Sequence, residues 1–251
     1  KVFRAHSAQR VFDEIKTLHD KHGIKHFSFF DDIFNCDRQR VVDIMRMVIA
    51  SPMDVRFYFV NGLRGDMLDR DLIDLFVEAG VVCIAVAVET ASPRLQRDIK
   101  KNISFERLND VIAYASRRNI VVNGAFMIGF PSETMGEVLR TIRYALFSRL
   151  DAASFFIVHP LAGTALAKRL REEGVTAALS KTNSNYWYLV SADSVNCSSF
   201  NNTQLRWLLT FANLIFYSNP VRLIRIIRKF PGLVVIRVFI TQYLTRVFQV
   251  G

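Results

Sequence analysis

The chain has 251 residues, 51% of them hydrophobic, enough for one sizeable core and in the size range of a single α/β barrel. Its three cysteines, Cys36, Cys83 and Cys197, lie far apart with no C-x-x-C spacing. Neither a disulfide framework nor a self-contained zinc site can be read from them, which favours a reducing, cytoplasmic compartment. The net charge of +10 belongs to the tail: all 23 acidic residues precede Ser194, while Arg206, Arg222, Arg225, Arg228, Lys229, Arg237 and Arg246 follow it. A nucleic-acid surface spread over the whole chain is therefore not expected.

The opening stretch, "KVFRAHSAQRVFDEI", has no apolar h-region, so no secretory signal is expected there, and a helix is predicted over 7–19. From there short apolar runs alternate with longer amphipathic ones. "HFSFF" is followed by a helical pattern over 38–50, and "VRFYFV" by one over 69–79. "VVCIAVAV" precedes helices over 93–99 and 105–118, "IVVNGAFMIGF" one over 134–147, and "AASFFIVHP" one over 163–173. The runs are β-branched and aromatic, continuous rather than alternating, which predicts parallel strands covered on both faces. Strand-then-helix repeats with right-handed crossovers give a doubly wound sheet or a (β/α) barrel.

In both architectures ligands sit at the C-terminal ends of the strands. The residues found there are polar or Gly/Pro-rich in every case. They are Asp31 and Asp32; Asn61 and Arg64 in "NGLRGD"; Glu89 in "ETASP"; Gly129, Phe130 and Pro131 in "GFPSET"; and His159 and Pro160 in "HPLAGT". Each also has a plain reading. The two aspartates can cap the next turn. Glu89, ending the most apolar strand, needs a partner, and Arg64 is the obvious structural one. In "GFPSET", Pro131 and Ser132 can form a turn, Ser132 or Thr134 can cap the helix, and Glu133 can complement its positive end. His159 before a proline reads more readily as a packed surface histidine than as a base.

Taken in order, "FSFFDDIF", "NGLRGDMLDRDLIDLFVEAG", "IAVAVETASPRLQRDIKKNIS", "FMIGFPSETMGEVLRTIRYA" and "VHPLAGTALAKRL" resemble the radical S-adenosylmethionine (SAM) superfamily. The likeness is greatest to its cobalamin-binding-domain-associated branch, the magnesium-protoporphyrin ester cyclase-like enzymes. The resemblance implies an α/β fold, a partial TIM-like (β/α)6 barrel over 1–179, followed by a helical, basic C-terminal region over 180–251. It implies a 4Fe–4S cluster, held by three cysteines, that cleaves SAM to a 5′-deoxyadenosyl radical, with cobalamin as a further cofactor. By position, Asp31 and Asp32 match the segment approaching the SAM amino-acid end, and Glu89 the acidic residue near its ribose or amino group. Gly129, Phe130 and Pro131 match the segment beside the adenine, His159 and Pro160 the last strand exit, and Asn61 and Arg64 join them as SAM-binding candidates. Implied partners are a small-molecule or lipid-like substrate and a reductant such as ferredoxin or flavodoxin, with no nucleic acid.

One departure stands out. The family's C-x3-C-x2-C cluster motif is absent, and none of Cys36, Cys83 or Cys197 can stand in, because the cluster needs three thiolates from one loop. The family places that loop just upstream of a segment like "KVFRAHSAQRVFDEI". The expectation is a chain that starts after the motif, with its first strand, cluster ligands and any cobalamin domain outside it, and that is inactive alone. The alternatives are a methylthiotransferase-type radical SAM enzyme, or a non-catalytic SAM-barrel scaffold.

After about residue 180 the βα rhythm stops. "TQLRWLLTFANLIFYS" predicts an amphipathic helix, and "NPVRLIRIIRKFPG" a second one with Arg222, Arg225 and Arg228 on one face opposite Leu223, Ile227 and Phe230. "LVVIRVFITQYLTRVF" is too short and too interrupted by arginine for a membrane span. These helices are expected to cover the barrel with solvated arginines, or to lie peripherally on an anionic membrane.

Overall fold

The computed structural model describes residues 4–161, 163–172 and 196–229. Helices and strands alternate along it: α1 (Ala8–His22), β1 (His26–Phe29), α2 (Arg38–Ile49), β2 (Arg56–Leu63), α3 (Arg70–Glu78) and β3 (Val81–Glu89). Then come α4 (Pro93–Asp98), α5 (Phe105–Arg117), β4 (Val121–Ile128), α6 (Met135–Phe147), β5 (Ala152–Ile157) and α7 (Ala165–Glu172). The rhythm ends with α8 (Asn202–Tyr217) and α9 (Pro220–Lys229). The five strands form one sheet in sequence order, β1 pairing parallel with β2 and β2 with β3. The alternating α/β class is thus as the sequence predicts. The expected boundary near residue 179 lies outside the described residues, as do Phe230 and the run after it.

Local chemistry sets where the helices begin. Their first N–H groups have no intrahelical acceptor and are taken up by short polar side chains. Ser7 accepts from Arg10 N (3.3 Å), Asp37 from Arg40 N (3.1 Å) and Asp69 from Leu72 N (2.8 Å). Helix α1 stops at Gly23, whose φ of 65° lets its N–H reach His19 O while Ile24 N–H reaches Leu18 O.

By compactness the chain falls into two units. The first comprises Lys1–Val88, Ile103–Gly124 and Ser148–Ala152. Its core is an aromatic stack: Phe29 lies on Phe59 at 4.9 Å, Phe59 on Phe76 at 5.3 Å, and Phe34 meets Phe29 at 4.6 Å. Here the expectation of strands covered on both faces needs correction. In β2, Phe57, Phe59 and Leu63 are buried but Arg56 and Val60 are exposed, an alternation that means one covered face. β3 is continuously buried through Ile84, Ala85 and Val86, as β5 is through Ala153, Ser154 and Phe155. Strands β2 and β3 approach so closely at Gly62 that an added Cβ would lie 2.5 Å from Ala87 Cβ.

The second unit comprises Glu89–Asn102, Ala125–Phe147 and Ala153–Gly251. Phe126 stacks on Phe155 at 5.2 Å, and Phe155 meets Phe216 of α8 edge-on at 6.4 Å. The Tyr217 hydroxyl donates to Ala153 O (2.7 Å), pinning the end of α8 to β5. Arg222 departs from expectation. It is buried, donates to the carbonyls of Ala145, Leu146 and Phe216, and lies 4.0 Å from the Phe216 ring centroid. Two of those carbonyls belong to the last turn of α6, where intrahelical donors run out, and a planar guanidinium can reach both. The buried face of α9 is therefore Arg222 and Ile226, and its arginines are not uniformly solvated.

Candidate functional site

In the first unit the strand exits carry four predicted residues. Phe29 is the last core residue of β1; at Phe30, 71% exposed, the chain leaves the sheet. Asp31 and Asp32 follow on the exposed loop. Neither caps a helix, since Asp37 caps α2, and among the described residues neither carboxylate has a hydrogen-bonding or ionic partner. Asn61 donates to Phe30 O (2.9 Å), tying the β2 exit to the β1 exit. Arg64 forks onto Asp66 through Nε (3.0 Å) and a terminal nitrogen (2.8 Å). Buried Asn35 fixes this turn, accepting from Arg64 N (3.0 Å) and donating to Arg64 O (2.9 Å). The sequence reading missed Asn35; nothing in "DIFNCD" separates it from an ordinary turn asparagine.

In the second unit the exits of β3, β4 and β5 carry the rest. Glu89 ends β3 with φ 64°, a left-handed conformation uncommon for a residue with a side chain. Its partner is Lys101, whose Nζ donates to Oε1 at 2.6 Å. The expected Arg64–Glu89 bridge is thus replaced: Arg64 is committed to Asp66, and Lys101 reaches back from twelve residues downstream.

The "ETASP" loop is stitched to the start of α6. Ala91 N donates to Thr141 Oγ1 (3.0 Å), Ser92 Oγ to Glu137 Oε1 (2.6 Å), and Arg94 grips Glu137 through Nε (3.0 Å) and a terminal nitrogen (2.7 Å). Arg94 also donates to Ser132 O (2.9 Å). Hydrogen bonding from Arg94, with help from Ser92 and Thr134, holds the Glu137 carboxyl down to about 2. Thr134 and Glu137 close a capping box: Glu137 N donates to Thr134 Oγ1 (3.4 Å) and Thr134 N to Glu137 Oε2 (3.0 Å).

Glu133 does not sit at the helix end as a solvated charge. It is 1% exposed and turns back, its Oε2 accepting from Gly129 N (2.6 Å) and Phe130 N (3.1 Å). Burial pushes its carboxyl up to about 7 despite those two donors. Gly129, at φ 93°, supplies the backbone conformation this return requires. The Phe130 ring packs with Leu95 and Val158, so what this segment offers a ligand is backbone and Pro131. His159 after β5 is half-buried, burial lowers its pKa, and Pro160 is buried. Glu133 Oε1 and His159 Nδ1 are both buried with no partner among the described residues. Buried polar atoms left open are what a site completed by a ligand shows.

The cysteines do not fit an iron–sulfur cluster. Cys36 is exposed in the turn after β1, Cys83 lies within β3, and Cys197 precedes α8. Burial raises the Cys197 thiol to about 11, and its Sγ faces Gly129 O (3.5 Å) and Val158 O (3.8 Å), surroundings that disfavour a thiolate. Among the described residues no three His, Cys, Asp or Glu side chains are grouped to hold a metal ion.

Comparison with known proteins gives these positions a context. The family model described as the Radical SAM superfamily matches residues 1–145. An uncharacterised methyltransferase of Pyrococcus horikoshii is 30% identical over 237 residues, 94% of this chain and 50% of that protein. An anaerobic magnesium-protoporphyrin IX monomethyl ester cyclase of Cereibacter sphaeroides is 24% identical over 184 residues, 72% of this chain and 30% of the cyclase. Among solved structures, a radical S-adenosylmethionine methyltransferase from Kitasatospora setae, with cobalamin and an iron–sulfur cluster bound, aligns with a TM-score of 0.61. That alignment has 18% identity and covers 69% of this chain and 33% of the other, so it shows the fold, the partial TIM-like barrel expected from the sequence. The chain spans about half the length of the first relative and about a third of the other two proteins.

Proposed function

The chain belongs to the radical SAM superfamily, and from that premise we propose that it is the SAM-binding barrel of an enzyme that generates a 5′-deoxyadenosyl radical. The observation that carries this reading is the family match over residues 1–145, which takes in the exits of β1 to β4. The methyltransferase and cyclase relatives support methyl transfer, or a radical rearrangement or cyclisation; cobalamin as a further cofactor and a small-molecule or lipid-like substrate belong to the same proposal. An iron–sulfur cluster held by ligands other than this chain's three cysteines would supply the electron for SAM cleavage, with a reductant such as ferredoxin or flavodoxin as its source. The reading assigns its thiolates to residues other than Cys36, Cys83 and Cys197, and predicts that these 251 residues alone do not turn over. A cytoplasmic location, a barrel over 1–179 and a helical extension over 180–251 belong to the same proposal.

This chain's own residues bind and orient. Asp31, Asp32, Asn61 and Arg64 are assigned to SAM at the exits of the first unit. In the second, Glu89 is assigned to the ribose or amino group, Gly129, Phe130 and Pro131 to the adenine side, and His159 and Pro160 to the last exit. Support comes from the strained, lysine-paired carboxylate of Glu89 and from the open buried atoms of Glu133 and His159.

The first test reads the coding sequence upstream of Lys1 for C-x3-C-x2-C. With that segment present, the reconstituted, reduced protein is expected to retain labelled SAM and release 5′-deoxyadenosine. Glu89→Ala is expected to bind SAM at least about tenfold more weakly with the cluster absorbance unchanged. An in-frame start without cysteines, or SAM retention indifferent to Glu89, overturns the assignment and leaves a SAM-barrel scaffold.

A further inference from the structure

We infer that α8 and α9 form a docking face for an anionic membrane surface. On α8, Leu205, Leu208, Leu209, Ala212 and Phe216 are buried, so the packing face of the helix is already occupied. A second apolar row remains outside: Trp207 (69% exposed), Phe211 (45%) and Leu214 (44%). Their spacing of four and then three residues lines them along one face. Helix α9, packed against α8, adds Val221 (60%) and Ile224 (48%), three residues apart on its own outer side. Single exposed hydrophobics need no explanation, but an aligned Trp–Phe–Leu row next to a second exposed pair does.

Charge selects the occupant. Arg206 and Arg228 are exposed on these helices, Arg225 and Lys229 are half-exposed, and no acidic residue occurs anywhere after Asp193. Two helices with apolar and cationic residues and no carboxylates of their own complement a surface of lipid tails beneath anionic headgroups, where tryptophan is favoured at the boundary. A second copy of the chain is a poorer match, because a two-fold interface would set this all-positive face against itself. Among the described residues no helix is long and apolar enough to cross a membrane, and the proposed contact is a peripheral one. The structure also changes which residues carry the role. Arg222, which the sequence places on the basic face, is buried as a helix cap, and contact falls to the aromatic row with Arg206 and Arg228. This inference is independent of the radical chemistry.

Co-sedimentation of the intact protein with vesicles tests it, comparing phosphatidylcholine alone with phosphatidylcholine mixed with phosphatidylglycerol. The protein is expected to sediment with the anionic vesicles and to be released by high salt. The double variant W207S/F211S is expected to bind roughly tenfold more weakly, and Arg228→Glu several-fold more weakly. Both sites are exposed, so melting temperatures should match the parent and separate lost binding from lost folding. Failure of the parent to sediment, equal sedimentation with neutral vesicles, or a W207S/F211S variant that binds like the parent overturns the proposal. A concentration-dependent dimer that W207S/F211S dissociates, without vesicle binding, assigns the face to self-association instead.

Discussion

Lys101 Nζ lies 2.6 Å from Glu89 Oε1, with both side chains about four-fifths buried, so the carboxylate at the end of β3 arrives at its exit already paired. Removing one member of such a pair strands the other's charge, whereas removing both costs less. Lys101→Met is expected to destabilise the fold by about 1–3 kcal/mol, and Glu89→Gln with Lys101→Met to recover part of that. A double-mutant cycle by denaturant unfolding checks it; additive single effects would show that the pair is not coupled.

Glu133 and Glu137 lie four residues apart, and their carboxyl pKa values are shifted in opposite directions. For Glu133 the folded value of about 7 lies above the ordinary 4.5, so its contribution is complete below pH 4.5 and is lost as pH rises through 7. For Glu137 the folded value of about 2 lies below 4.5, so its contribution is present above pH 4.5 and disappears as pH falls toward 2. Stability is therefore expected to fall between pH 5 and 8 on account of Glu133. Glu133→Gln keeps an acceptor for Gly129 and Phe130 without the buried charge, and its unfolding free energy should be flatter over that range. The gap at pH 8 is on the order of 3 kcal/mol at most. Parallel pH profiles of parent and variant would refute the burial argument.

Arg222 serves the end of α6 through a fork of donors, and lysine cannot reproduce it. Arg222→Ala and Arg222→Lys are both expected to lower stability, by about 2–4 kcal/mol for alanine. Arg228→Ala, on the exposed side of the same helix, should stay within about 0.5 kcal/mol. Thermal melts of the three variants test the contrast, and full rescue by lysine would contradict it.

Phe59 lies between Phe29 and Phe76 and is 1% exposed. Phe59→Ala is expected to cost about 3–5 kcal/mol, while Phe30→Ala one residue beyond β1 should cost well under 1 kcal/mol. Gly62→Ala tests the nearby close approach: its methyl would crowd Ala87 and is expected to cost about 1–3 kcal/mol. Chemical denaturation resolves all three.

The alternation of strands and helices, the cap at Thr134, and the polar exits were legible in the sequence because each rests on residues close together in the chain. Periodicity and capping are local, and a family pattern is an ordered string of such local signals. Side-chain partnership is not local. That Glu89 takes Lys101 rather than Arg64, that Arg94 bridges to Glu137 across 43 positions, and that buried Arg222 caps a helix 76 residues away depend on which elements pack together. The same composition of "GFPSET" allows Glu133 to sit in water or fold back on Gly129. Only the burial of that loop beneath its neighbours decides it, by removing the water that would otherwise solvate the charge.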